Sequence, residues 1–389
     1  MKKTIWLVLL IVGLAFSFPG VGYTQKVIRI GDAGAFTGDA AAPCMEIYNS
    51  AQVAIDEWNA KGGIKGMKIE HPMGDDAMDP AQGVNVAQKF CADSSMLGVI
   101  GPPMSHIAQA TLKTYGGCGL TTITTAASKP DLTEQSFEQG FKNFFRVNAR
   151  NDAHGWNCAL FMTRNLKAKK VAVLNEKVAY CENIASETIK GLKKLGMKDS
   201  DIMQDTIVAG AKDFSAVLTT VKAFNPDILF FVATTAPDQA IGVRQAKELG
   251  IKAKFFGTEG ARDKKDFIQA SEGAAEGAYV YHFAPDVFAI PAAANYIKKF
   301  EAKYGSISGF GPPAYEAANI LLAAIDKAAK ANKLNRKEVL ANVAATKNFK
   351  GILGFPVTFD KKGDLEGGAT YFFQVVGNDF KQLAVMTGK

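Results

Sequence analysis

Two loops of this chain hold side chains that could do chemistry at a defined place. Gly101-Pro102-Pro103-Met104-Ser105-His106 follows an apolar run at 97–100 and opens a helical pattern. Ser105 can cap that helix, and the unpaired N–H groups of a helix start suit a carboxylate. A plain structural cap would use the same residues. Phe256-Gly257-Thr258-Glu259-Gly260 follows another short run and carries an acid. In a cleft, Glu259 would be the natural partner for a cation, and a desolvated pair selects strongly for it. On an open loop it is simply a solvated carboxylate.

Other chemistries lack their residues. His106 adjoins Ser105, but neighbours on a helix point apart and do not make a nucleophile and its base. No G-x-S-x-G elbow occurs. The loop Gly31-Asp32-Ala33-Gly34-Ala35-Phe36-Thr37-Gly38 fails the spacing of a dinucleotide fingerprint. His71, His106, His154 and His282 are widely separated and read as surface or supporting histidines rather than metal ligands. Neither a metal nor a cofactor is expected. Of the five cysteines (44, 91, 118, 158 and 181), at least one must remain a free thiol. Cys91 and Cys118 close successive helices ahead of neighbouring strands and are the expected bridge.

A βαβ rhythm positions these loops. Strands are expected at 27–30, 68–70, 97–100 and 120–124, with helices through Trp58, at 81–90 and at 105–115. Ala51, Ala54, Ile55 and Trp58 recur at helical spacing, and Gly62-Gly63 supply the left-handed backbone that ends the helix. The rhythm restarts after 145–150, with strands at 171–174, 202–208, 228–232 and 255–257. Helices fall between them at 153–166, 183–195, 214–224 and 237–249. Ile228-Leu229-Phe230-Phe231-Val232 is apolar throughout, as a parallel strand covered on both faces must be. The remainder differs: helices at 291–304, 315–330 and 337–345, then an antiparallel pairing of 357–359 with 370–376. The fold class is therefore α/β, two doubly wound lobes of mainly parallel sheet. Ligands of such sheets bind beyond the C-terminal strand ends, which for two facing lobes means the cleft between them.

The wording of several segments is similar to one family. D-E-W-N-A-K-G-G-I-K-G-M-K-I at 56–69, followed by Asp75-Asp76 and Asp79-Pro80, resembles the periplasmic branched-chain amino-acid-binding proteins, the solute receptors of ABC importers. The resemblance runs over residues 27–368 and carries expectations with it. The serine matching Ser105 would bind a ligand carboxylate. Thr124-Thr125-Ala126-Ala127-Ser128-Lys129-Pro130-Asp131-Leu132-Thr133 resembles a loop whose backbone at Ala126 and hydroxyl at Ser128 would hold the carboxylate and ammonium of an amino acid. Hydroxyls and helix-end N–H groups would then form an anion cradle that works without a buried arginine. Tyr180 matches a tyrosine that closes over the ligand, and Glu259 a glutamate that takes its ammonium.

Thr235 stands where leucine-type receptors carry a tyrosine, and Pro43-Cys44 where they have Tyr-Gly. Both positions help line the side-chain pocket, so the side chain selected stays open. Met78 and Met104 replace a cysteine pair bridged in some relatives. The resemblance further implies three strands crossing between lobes near 145–150, 277–284 and 354–360. The lobes would comprise 26–147 with 284–355 and 148–283 with 356–389.

The chain begins with Lys2-Lys3, an apolar run at 5–18 and Gly20-Val21-Gly22, which read as a cleaved secretory signal over 1–25 leading to the periplasm. Its removal lowers the formal charge from +7 to +5, and the basic residues are scattered, so no nucleic-acid partner is expected. The expected protein is a monomeric periplasmic receptor, not an enzyme. It would bind an amino acid, aliphatic or branched-chain, and deliver it to the permease of an ABC importer. The alternatives are a receptor of the same fold for an aromatic or other small carboxylic acid, and a periplasmic sensor.

Overall fold

The protein is described by a computed structural model covering residues 27–387; the signal-like segment lies outside the described residues. Six short strands build the first sheet: β1 (Ile28–Gly34), β2 (Ile69–Glu70), β3 (Met73–Asp75), β4 (Met96–Ile100), β5 (Thr121–Thr124) and β6 (Phe144–Arg146). All pair in parallel in the order β2-β1-β4-β5-β6, with β3 lying beside the far end of β1. The helices between them are α1 (Ala41–Ala60), α2 (Pro80–Ala92), α3 (Ser105–Cys118) and α4 (Asp131–Glu138). Asp79 starts α2 by accepting the Gln82 N–H at 2.8 Å, with Pro80 in the first turn. Gly62 and Gly63 follow α1 at φ +95° and +69°, the turn expected of them.

The second sheet contains β7 (Val171–Glu176), β8 (Ile202–Ile207), β9 (Ile228–Val232), β10 (Lys254–Gly257) and β11 (Tyr279–His282) in the parallel order β8-β7-β9-β10-β11. Its helices are α5 (Asn151–Leu160), α6 (Ala179–Lys194), α7 (Ser215–Phe224) and α8 (Ala236–Glu248). One face packs on α7 and α8 through Leu218, Val221, Phe231 and Val243. The other packs on α5 and α6 through Cys158, Ile184, Phe230 and Leu192. Both faces of β9 are thus buried, as its apolar run required.

The chain then returns. Helices α9 (Ala294–Tyr304), α10 (Gly311–Lys330) and α11 (Arg336–Ala344) belong to the first lobe, where Leu321, Ile325 and Val339 bury against Ile30, Ile100 and Ile123. Helices α2 and α3 cover the opposite face with Phe90 and Tyr115. The closing segment departs from expectation. Strand β13 (Pro356–Val357) pairs with β12 (Phe349–Lys350), not with residues 370–376. Strand β14 (Ala369–Val376) instead runs antiparallel between β11 and β15 (Asp379–Thr387), an edge strand that sequence reading missed. The reason is burial: Val357, Phe359 and Leu365 join the core around the first sheet.

Cys91 and Cys118 form a disulfide, while Cys44, Cys158 and Cys181 are free and buried. Three of the four histidines are buried rather than on the surface: His71 beside Asp32, His154 against the Thr370 hydroxyl at 2.8 Å, and His282 on β11. Among the described residues no helix is long and apolar enough to cross a membrane.

Candidate ligand cleft

Strand order reverses between β1 and β4 in one lobe and between β7 and β9 in the other. Such switch points splay neighbouring loops apart and open a crevice at the carboxyl ends of the strands. Here the two crevices face each other. The space between them, open mouth included, holds about 550 Å³ free of atoms. The first lobe contributes Pro43, Cys44 and Ile47 after β1, Met104 to His106 after β4, and Ala126 after β5. The second contributes Val178 and Tyr180 after β7, Thr234 after β9, and Glu259 after β10. Phe310, just ahead of α10, closes the side.

Glu259 is the charged group of this space. It is only 8% exposed, and burial raises its pKa. Hydrogen bonds from Tyr180 and Tyr281 oppose that rise by favouring the carboxylate. The Tyr180 hydroxyl donates to Glu259 Oε2, and the Tyr281 hydroxyl lies 2.6 Å from that of Tyr180. Burial holds both phenols protonated, well above their usual range. Among the described residues no Lys, Arg or His forms an ion pair with Glu259. A desolvated carboxylate held by neutral donors can pair with a cation that enters the space.

The opposite wall carries no acid, lysine or arginine among the described residues, and Ser105 supplies its hydroxyl. Ser105 does not cap α3; Met104, in extended backbone, precedes the helix and Ser105 is its first residue. That one-residue shift turns the Ser105 oxygen across to the next loop, where it accepts the Lys129 N–H at 3.4 Å. Ser128, two residues beyond the lining residue Ala126, is buried, and its hydroxyl has no protein partner. Four of the six expected site residues, Ser105, Ala126, Tyr180 and Glu259, thus line one space, whereas Ser128 is not among its lining residues. Thr235 does not line the main space. It lines an adjoining recess with Asp39, Pro237 and Gly260, and its hydroxyl caps α8.

Its neighbour Thr234 faces the cleft instead, held by Glu176, whose carboxylate accepts both the Thr234 N–H (3.1 Å) and hydroxyl (2.7 Å). Burial lifts the Glu176 pKa to about 7. Tyr281, on a crossing strand far along the chain, was not foreseen at all. The apolar part of the lining is Ile47, Met104, Val178 and Phe310. Cys44 joins it as a thiol that burial keeps protonated, packed near Met78 and Met104. His106 borders it with a pKa lowered by burial, its Nε2 3.1 Å from the Met78 carbonyl.

The sequence profile of the periplasmic binding protein family matches residues 27–380. The chain belongs to the periplasmic binding protein family. This periplasmic binding protein is 31% identical over 350 residues to the Leu/Ile/Val-binding protein homolog 1 of Brucella suis, with 90% of each chain covered. It is 31% identical to the Leu/Ile/Val-binding protein BraC3 of Rhizobium johnstonii over 338 residues, covering 87% of this chain and 89% of that one. Among solved structures, leucine binding protein LivK from Thermotoga maritima superposes with a TM-score of 0.83 at 24% identity, over 92% of this chain and 99% of that one. A solute binding protein from R. palustris in complex with benzoate reaches 0.80 at 18% identity, over 93% and 97%. These neighbours share the two-lobed fold.

Proposed function

We propose that this receptor binds an α-amino acid with an aliphatic side chain in the interlobe cleft and presents it, chemically unchanged, to the permease of an ABC importer. The carrying observation is the buried Glu259 carboxylate, bonded to neutral donors that include tyrosine hydroxyls, in a space whose other side carries Ser105 and the Ala126 loop. A zwitterion complements both ends: its ammonium supplies the missing cation, and its carboxylate meets Ser105, Ser128 and the loop N–H groups. Ile47, Met104, Val178 and Phe310 would surround an apolar side chain. The relatives named for leucine, isoleucine and valine support this reading.

The lobes would be residues 27–147 with 284–365 and 148–283 with 366–387, since Val357, Phe359 and Leu365 pack in the first lobe's core. Ligand contacts from both lobes would favour the closed form of a periplasmic monomer. The test is calorimetry on refolded, ligand-free protein against the twenty amino acids, their keto-acids and simple aromatic acids. Binding of an aliphatic amino acid that is lost in Glu259→Gln supports the reading. Binding confined to acids without an amine would refute it in favour of the aromatic-acid receptor.

A further inference from the structure

The cradle loop is held open from behind. Each carbonyl from Ala126 to Pro130 is taken by a residue of the first crossing segment, 146–151. Ala126 O accepts from Asn148 Nδ2 at 3.3 Å, and Ser128 O accepts the Asn151 N–H at 2.8 Å. Arg146 takes the other three: its Nη1 donates to Ala127 O at 3.1 Å and Lys129 O at 3.0 Å, and its Nη2 to Pro130 O at 3.4 Å.

We propose that Arg146 is a positioning residue for the ligand carboxylate, acting through this loop and anchored by Asp364, just ahead of the third crossing; the inference rests on the cleft being the ligand site. Arg146 is fully buried yet does not line the cleft. In a trans peptide the N–H points opposite to its carbonyl. Drawing the Ala127 carbonyl back to Arg146 therefore turns the Ser128 N–H away from Arg146. The next N–H, of Lys129, runs to Ser105, a cleft residue. A carboxylate needs donors in front and carbonyl oxygens removed, and the guanidinium fork supplies that geometry where a lysine, a point charge, cannot.

Asp364 secures the arginine. Its Oδ1 lies 2.7 Å from Arg146 Nε and its Oδ2 3.1 Å from Arg150 Nη1. Thr133 bridges the pair, accepting from Arg146 Nη2 at 2.9 Å and donating to Asp364 at 3.0 Å. The Arg146 N–H also donates to Gly363 O at 3.0 Å. The cradle is thus tied to the first crossing segment and to the residues that lead into the third, so its geometry and the lobe angle are linked.

The test compares Arg146→Lys and Asp364→Asn with Val339→Ala, a buried control on α11. Two quantities are read: affinity for whichever panel ligand the wild type binds, and hydrogen exchange of residues 124–133 in ligand-free protein. Arg146→Lys should lose at least tenfold in affinity and exchange faster in that loop, with Asp364→Asn showing the same pattern more weakly. Val339→Ala should lower the melting temperature without either change. Wild-type affinity and wild-type exchange in folded Arg146→Lys, or in Asp364→Asn should the lysine variant not fold, overturn the proposal. The exchange measurement needs no ligand. A wild type that binds nothing in the panel would therefore sink the receptor reading while leaving the loop to be judged separately.

Discussion

At the scale of single residues, the cleft depends on one acid kept ready by two phenols. Tyr180→Phe removes the hydroxyl that Glu259 accepts. A hydrogen bond to a charged group contributes about 1.5–3 kcal/mol, so ligand affinity at neutral pH should fall roughly 10- to 100-fold. Because burial raises the Glu259 pKa, the carboxylate an ammonium needs forms only above the usual carboxylate range. Affinity measured from acid to neutral pH should therefore climb as Glu259 ionises, and the climb should vanish in Glu259→Gln; an unchanged profile would remove Glu259 from the ammonium site. That Ser105, Ala126, Tyr180 and Glu259 share one space was legible in the sequence, because loops after strand ends gather along one edge of an open parallel sheet. The errors were of register. Thr234 rather than Thr235 faces the cleft, and Ser105 opens α3 instead of capping it; a one-residue rotation at a loop end leaves no mark in residue type. Tyr281 was invisible because its partner Tyr180 is remote in sequence and only the sheet brings them together.

Elements show a second kind of limit. The disulfide between Cys91 and Cys118, at the ends of α2 and α3, matches the expected bridge. Arg336 of α11 reinforces the same place, donating to the Cys91 and Cys118 carbonyls at 3.0 and 3.2 Å. Replacing both cysteines by serine should cost about 3 kcal/mol and lower the melting temperature by several degrees in a thermal scan. Helix α10 carries a buried acid: Glu316 accepts the Ile352 N–H at 2.9 Å, and burial raises its pKa to about 7 from 4.5. A raised carboxyl stabilises the fold fully below its unfolded pKa and loses that contribution as pH rises through the folded one. Melting temperature should thus fall between about pH 4.5 and 7, and Glu316→Gln should flatten that slope. A side-chain carbon at Gly351 would sit 1.9 Å from a Glu316 oxygen, so Gly351→Ala should destabilise by about 1–3 kcal/mol in a denaturant titration. The regular βαβ elements were readable from apolar periodicity. The closing strands were not, since 357–359 could pair on either side and the choice fell to which core would bury Val357 and Phe359.

For the whole molecule, ligand binding and lobe closure should appear as one event. A ligand at a hundred times its dissociation constant stabilises the folded state by about 2.7 kcal/mol, and small-angle scattering should show the radius of gyration falling over the same concentrations. A rise in melting temperature with constant dimensions would mean that the lobes do not move. The path of the chain has another consequence, in the order of its manufacture. The first sheet waits for α10 and α11, and the second for β14 and β15, so neither lobe can complete its core until nearly the whole chain has emerged from the ribosome. Domains otherwise tend to fold N-terminal first as they are made. Were the chain exported unfolded, that delay would be useful: the same threading that joins the two lobes would keep the nascent polypeptide slack enough to be drawn through a membrane.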